Sequence, residues 1–315
     1  MSLADTAPLL AETAGALLPY LDDPAVMELM ANPDERLFVE RFGVGIERVE
    51  DLDASTLDTF LRCVASLVRA EWRETSPSLH AALPTLGWRI QAERPPIAPG
   101  PMMTLRKHPR HVFPLDDFIA KGILTVAERG ILEEAIATGK TVLISGATGS
   151  AKTSLINALL HSLRDSGRRI FILEDDPELR CDAENSASLH TVDGDGGLGR
   201  VTMTDLVKKA LRHRPDLLII GEVRDGAALD MLKGFQTGHP GIASVHADSA
   251  EGTLLRLEQL VQEVSVDPQR TLIAETVKVI VHMARHGRTW RATGLLAVEG
   301  LHGDRYTTRP LVSCT

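Results

Sequence analysis

The sequence predicts two domains, a small α+β domain followed by an α/β domain built on a mostly parallel sheet. Three observations predict it. The 315 residues exceed the roughly 150 of a typical domain. A cluster of prolines, Pro95, Pro96, Pro99 and Pro101, breaks the pattern about a third of the way along. From about residue 120, short β-branched or aliphatic runs alternate with helical patterns, as βαβ units demand.

Before the prolines, RLFVERFGVGIERV around Gly43 reads as strand, turn and strand, and Leu57, Phe60, Leu61, Val64, Leu67 and Val68 recur at helical spacing. Residues 1–100 are therefore expected to form the α+β domain, 101–120 a linker and 121–315 the α/β domain. Thr125 and Glu128 make a capping-box pattern that opens a helix, and Gly139 can close it. The runs TVLIS from Thr141, RIFILE from Arg169, LLII from Leu217 and ASVHA from Ala243 are the expected parallel strands. VKVIVHMAR from Val277, LLAVEG from Leu295 and YTTRPLV from Tyr306, separated by turns at Gly287 and Gly303, read as terminal antiparallel strands.

Composition narrows the class. A hydrophobic fraction of 43% and a charged fraction of 24% are ordinary for a globular protein. No apolar run approaches the ~20 residues that span a bilayer, and no basic residue precedes Arg36 to make the positive start of a secretory signal. A cytoplasmic location is expected. The 34 Lys and Arg against 43 Asp and Glu give a net charge of -9, which disfavours direct nucleic-acid binding. Cys63, Cys181 and Cys314 are far apart and form no CxxC, as expected of thiols in a reducing compartment.

Between TVLIS and a helix carrying Leu155, Ile156, Leu159 and Leu160 lies GATGSAKT, Gly146 to Thr153. It fits GxxxxGK[ST] except that Ala151 replaces the second glycine. The residues Gly146, Ala147, Thr148, Gly149, Ser150 and Ala151 would wrap phosphates with backbone N–H groups, with Ser154 continuing the helix start. Lys152 would meet the β and γ charge and the Thr153 hydroxyl would hold Mg²⁺, so ATP and Mg²⁺ are the expected cofactors. Ala151 directly precedes the helix, where helical dihedrals are approaching, and a negative φ is expected there.

Hydrolysis of a nucleotide triphosphate needs a carboxylate that positions or deprotonates water, placed at the carboxyl end of a strand. Two runs end that way: LLIIGEVRD offers Glu222, and RIFILEDDPEL offers Glu174, Asp175 and Asp176. The residues alone leave the choice between them open.

Four segments in order, GATGSAKT, EDDPEL, LLIIGEVRD and TGHPGIASVHA, resemble the Walker A, Asp-box, Walker B and His-box motifs of the type II and type IV secretion ATPase superfamily. RIFILEDDPELRCDAEN, the LRHRPD before the Walker B segment, the short N-terminal domain and ELMANPDERLFVERFG look most like its TrbB-like conjugal-transfer branch. The resemblance implies a RecA-like P-loop fold and an ATP hydrolase that powers type IV secretion or conjugal DNA transfer. It implies that Glu222 is the catalytic carboxylate with Glu174 as its runner-up or assistant. His239 and His246 would sense the γ-phosphate, and Arg106, or Arg89, would reach the phosphates from the N-terminal domain, while Arg224 would make a structural or intersubunit ion pair. A homohexameric ring, peripheral to the inner membrane and docked on secretion or conjugation channel components, is also implied. Within the same superfamily a type IV pilus motor is an alternative; a type II secretion motor is disfavoured because it commonly carries a four-cysteine zinc site. A nucleotide-gated scaffold in which Ala151 has weakened hydrolysis is an alternative of another class.

Overall fold

The computed structural model describes residues 3–83, 86–107, 112–192, 199–287 and 289–312, so Cys314, the turn residue Arg288 and most of the Gly-rich insert TVDGDGGLGR lie outside the described residues. The chain divides into two compact units, Met1–His111 and Val112–Thr315.

The first unit opens with three short helices, α1 (Leu3–Thr6), α2 (Pro8–Ala14) and α3 (Leu18–Asp22), followed by strands β1 (Val26–Ala31), β2 (Arg36–Arg41) and β3 (Gly45–Asp51). Helix α4 (Ala54–Leu67) and strands β4 (Ser78–Leu83), β5 (Trp88–Glu93) and β6 (Met102–Lys107) complete it. The strands form one antiparallel sheet in the order β3-β2-β1-β6-β5-β4. Asp53 caps α4 by accepting from the N–H groups of Ser55 and Thr56, and the helix buries Leu57, Phe60, Leu61 and Val64 with Leu29, Leu37 and Trp88 in the core of the unit. Leu67, at the end of the same stripe, is 50% exposed. The prolines connect β5 to β6 inside this sheet. The expected linker therefore contains a central strand: Met102 to Lys107 pair on one side with β1 and on the other with β5.

The second unit begins with α5 (Leu115–Ala120) and α6 (Val126–Ala137), the latter opened by the expected Thr125–Glu128 capping box. There follow β7 (Thr141–Ser145), α7 (Lys152–Ser162), β8 (Ile170–Glu174), β9 (Ser186–His190), α8 (Met203–Ala210), β10 (Leu217–Val223), α9 (Ala227–Gln236) and β11 (Gly241–Val245). Helices α10 (Gly252–Gln262) and α11 (Arg270–Thr276) lead to β12 (Val277–His286), β13 (Thr289–His302) and β14 (Arg305–Pro310). The sheet order is β14-β13-β12-β7-β11-β10-β8-β9. From β12 through β9 every pairing is parallel, and only β12–β13 and β13–β14 are antiparallel. Strands β7, β8 and β11 are buried at every residue, as strands covered on both faces must be. The terminal strands depart from the reading in two details: β12 is itself parallel to β7, and β13 starts at Thr289, so it takes in Trp290 ahead of the LLAVEG run.

Among the described residues no helix is long and apolar enough to cross a membrane, and no group of His, Cys, Asp and Glu side chains is arranged to hold a metal ion.

Candidate active site

Parallel pairing puts the carboxyl ends of β7, β11, β10 and β8 on one edge of the sheet, where ligands of open α/β sheets bind. Four sequence segments meet there. The phosphate loop follows β7, Glu174 ends β8, Glu222 is the next-to-last residue of β10, and His246 follows β11.

The loop is shaped by backbone geometry. Gly146 has φ +149, and a Cβ there would stand 2.1 Å from the Met283 carbonyl oxygen and 2.5 Å from Ser150 Oγ, so no side chain fits. Gly149 follows at φ +70. Ala151 has φ 67 and ψ 25, the left-handed region, and so the expected negative φ is not found. The bend that aims α7 at the loop sets this conformation, at a cost of about 1 kcal/mol relative to glycine.

The start of α7 is prepared for an anion. No side chain among the described residues caps it, whereas α6 and α8 both begin with capping boxes. Its first-turn N–H groups carry the positive end of the helix dipole, and the first turn holds no acidic residue. Ser150 Oγ is buried in the loop without a hydrogen-bond partner among the described residues. These features fit the phosphates of a nucleotide. Thr153, half-buried on the first turn, carries a hydroxyl of the kind that could hold a phosphate-bound Mg²⁺.

Charged side chains then form a chain across the sheet edge. The Lys152 ammonium, 7% exposed, donates to the carbonyls of Gly146 at 3.0 Å and Ala147 at 2.9 Å and lies 3.4 Å from His246 Nδ1. His246 Nε2 contacts Glu222 Oε1. Burial, and then the neighbouring Lys152 charge, hold the His246 pKa below its usual value. Its Nδ1 faces the Lys152 ammonium and its Nε2 faces the buried Oε1 of Glu222. On its other oxygen Glu222 accepts from Arg224 Nε at 2.8 Å and pairs with its terminal nitrogen at 2.6 Å. Arg224 also lies 3.9 Å from Asp175. A cleft of about 100 Å³ beside Glu222 is lined by Asp175, Arg200, Thr202, Arg224 and Asp225.

Glu174 is placed differently. It is 3% exposed, and its Oε1 accepts from the N–H groups of Glu178 at 2.9 Å and Leu179 at 2.7 Å, while Oε2 is buried without a hydrogen-bond partner among the described residues. Burial raises its pKa to about 7 against the pull of those two N–H donors. Gly221 makes room for it, since a Cβ there would meet Glu174 Cγ at 3.3 Å. The glycine before Glu222 is thus where the side chain of the neighbouring strand lies.

Within the second unit, one expected residue stands apart from this edge. His239 precedes β11, on the amino edge of the sheet, where its Nδ1 is 3.2 Å from Thr237 Oγ1. With ~3.3 Å per strand residue, it stands on the order of 20 Å from His246, too far to share a phosphate within one subunit. Arg106 lies on β6 of the first unit, opposite Arg89 on β5 and Glu28 on β1, with its Nε 3.9 Å from the Glu28 carboxylate.

Residues not anticipated from the sequence complete the site. Asn157 on α7, 1% exposed, donates to Glu178 O at 3.2 Å and accepts from Arg180 N at 2.8 Å. The Ser244 hydroxyl donates to Gly221 O at 2.6 Å, across the irregular register between Ile220 and Val223. The Trp290 indole N–H donates to Gly149 O at 2.7 Å. All three act through strand or loop neighbours far away in sequence, so no local spacing signals them.

The family described as Type II/IV secretion system protein matches residues 16–300. The chain belongs to that family. The conjugal transfer protein TrbB of Rhizobium radiobacter is 38% identical over 291 residues, covering 91% of this chain and 88% of that protein. The type IV secretion system protein VirB11 of Bartonella quintana is 29% identical, covering 84% and 86%. Among solved structures, the Legionella pneumophila ATPase DotB superposes with a TM-score of 0.64 at 19% identity, covering 94% of this chain and 81% of that one, a likeness of fold. The family resemblance read from the motifs holds, with the TrbB likeness extending over nearly the whole chain.

Proposed function

We propose that this chain is an ATPase that drives type IV secretion or conjugal DNA transfer, acting as a homohexamer on channel components at the cytoplasmic face of the inner membrane. The observation that carries the enzymatic reading is the chain Lys152–His246–Glu222, which links the phosphate loop to a strand-end carboxylate on the same sheet edge. TrbB and VirB11 relatives of matching length support the secretion role.

In this reading the first-turn N–H groups of α7 and Lys152 hold the phosphates, and Thr153 holds Mg²⁺, which neutralises phosphate charge when bound. Glu222 takes the proton of the attacking water. In the chain as it stands that carboxylate is held by Arg224 and His246. A γ-phosphate at the loop draws Lys152 off its two carbonyls and offers His246 a second acceptor, so phosphate arrival and release of the base are coupled through the imidazole. Glu174 holds the following loop in place and assists from the second rank.

Phosphate release by the purified chain with Mg²⁺ and ATP, alongside light scattering with an ATP analogue, tests the reading. Turnover together with a hexamer supports it; no turnover despite tight ATP binding replaces it with a nucleotide-gated scaffold. That second reading is favoured by one observation, the left-handed Ala151 in the loop.

A further inference from the structure

The hairpin of β12 and β13 runs beside the phosphate loop, and three contacts join the two. Gly146 lies against the Met283 carbonyl, leaving no space for a Cβ. Ser145 Oγ, at the end of β7, is 3.1 Å from His282 Nδ1. Trp290, 1% exposed, donates its indole N–H to the Gly149 carbonyl at 2.7 Å. The first two contacts act at the base of the loop. The third reaches its middle, two residues before the strained Ala151.

That middle contact restrains the carbonyl side of the Gly149–Ser150 peptide. Gly149 has φ +70 and nothing within 4 Å of where a Cβ would stand, so side-chain sterics do not fix its orientation. A peptide plane in such a loop can present either its carbonyl or its N–H to a bound phosphate. The carbonyl repels phosphate oxygens and the N–H attracts them. Because a trans peptide points the two in opposite directions, seating the Gly149 carbonyl on the indole turns the Ser150 N–H away from the hairpin. There it donates to Ala147 O at 3.2 Å and closes the turn that forms the cradle. Ala151 adds a reason for a restraint, since strained backbone persists only where its surroundings over-determine it.

We propose that Trp290 is a positioning residue for nucleotide binding: its indole N–H holds the Gly149 carbonyl away from the phosphates and keeps the loop in its binding form. The proposal rests on the reading that this loop binds ATP.

Steady-state kinetics and thermal melts on the full chain test it. Trp290→Phe keeps an aromatic ring and removes the donor. The expected result is a KM for MgATP raised about two- to tenfold, the worth of one neutral hydrogen bond, with kcat within twofold and a melting midpoint within a few degrees of wild type. A KM equal to that of wild type, with or without a fall in kcat that follows lost stability, overturns the proposal and leaves Trp290 a packing residue. If Trp290→Phe does not fold, benzothienylalanine at position 290, which keeps the indole shape and loses only the N–H, decides by the same KM. A wild-type chain that binds no ATP removes the reading of the loop, and the proposal with it. That result is separate from a wild type that turns over normally beside an unaffected variant.

Discussion

Two loops leave the same sheet edge and are built in opposite ways. The loop from Gly146 to Ala151 is a backbone cradle: its glycines sit at positive φ, a strained alanine ends it, and no side chain among the described residues caps the helix behind it. The loop from Asp175 to Arg180 is pinned from both sides. Glu174 takes the N–H groups of residues 178 and 179, and Asn157 takes the carbonyl of 178 and the N–H of 180. The first leaves the start of α7 without a side-chain cap among the described residues, and the second has its backbone groups taken up by buried side chains. Asn157 lies on α7 itself, so the helix that would receive the phosphate also holds the neighbouring loop. The difference separates residues that act on nucleotide from residues that set the frame.

The comparison can be broken first at Lys152. Lys152→Ala removes the cation of the cradle, and calorimetry should find ATP affinity down by ~10²-fold or more, since each hydrogen bond from a charged donor is worth about 1.5–3 kcal/mol. Unchanged affinity would show that the cradle does not bind phosphate. The melting midpoint should move far less than the affinity, because the two hydrogen bonds that the ammonium donates end on loop carbonyls.

The pinned loop should respond to pH instead. Glu174 has a folded-state pKa of about 7 against an ordinary 4.5, so the protein favours its protonated form. Its contribution to stability is complete below about pH 4.5 and is lost as pH rises through 7, a difference of up to about 3 kcal/mol. Wild type should therefore lose stability from pH 5 to 8 relative to Glu174→Gln, whose amide stays neutral. Parallel melting curves for the two across that range would contradict the burial argument.

Asn157→Ala leaves a backbone N–H and a carbonyl of the pinned loop without partners. It should destabilise by about 2 kcal/mol, ~4–8 °C in melting midpoint, while ATP affinity changes little. A large loss of affinity at unchanged stability would mean that the two loops are not separable. The smallest effect belongs to Ala151→Gly, which relieves the left-handed strain: up to about 1 kcal/mol of added stability, ~2–4 °C, and ATP affinity within about tenfold of wild type. Lower stability in that variant would show that the strain argument is mistaken.

The sequence carries more of one loop than of the other. The spacing of Gly146, Lys152 and Thr153 is local, as is the alternation of strand and helix that makes the sheet parallel, so the cradle and its edge could be read directly. The same holds for the Thr125–Glu128 cap and the stripe of α4. What could not be read depends on strand order. Glu222, His246 and Lys152 become neighbours only because β11 lies between β7 and β10, and His239 is separated from them because a strand has two ends. The left-handed Ala151 ran against the helical trend of its neighbours, since the loop must turn before the helix begins. The prolines marked a break in pattern, yet the chain returned to the first sheet as β6, a long-range pairing with no local signature.

The most direct test compares Glu222→Gln with Glu174→Gln in single-turnover hydrolysis, with ATP binding measured on the same preparations. The account predicts that Glu222→Gln binds ATP within a few-fold of wild type and hydrolyses it ~10²–10⁴-fold more slowly, the worth of a positioned general base, while Glu174→Gln retains most of its rate. Near-normal hydrolysis by Glu222→Gln beside a crippled Glu174→Gln would contradict it and move the chemistry to the buried carboxylate.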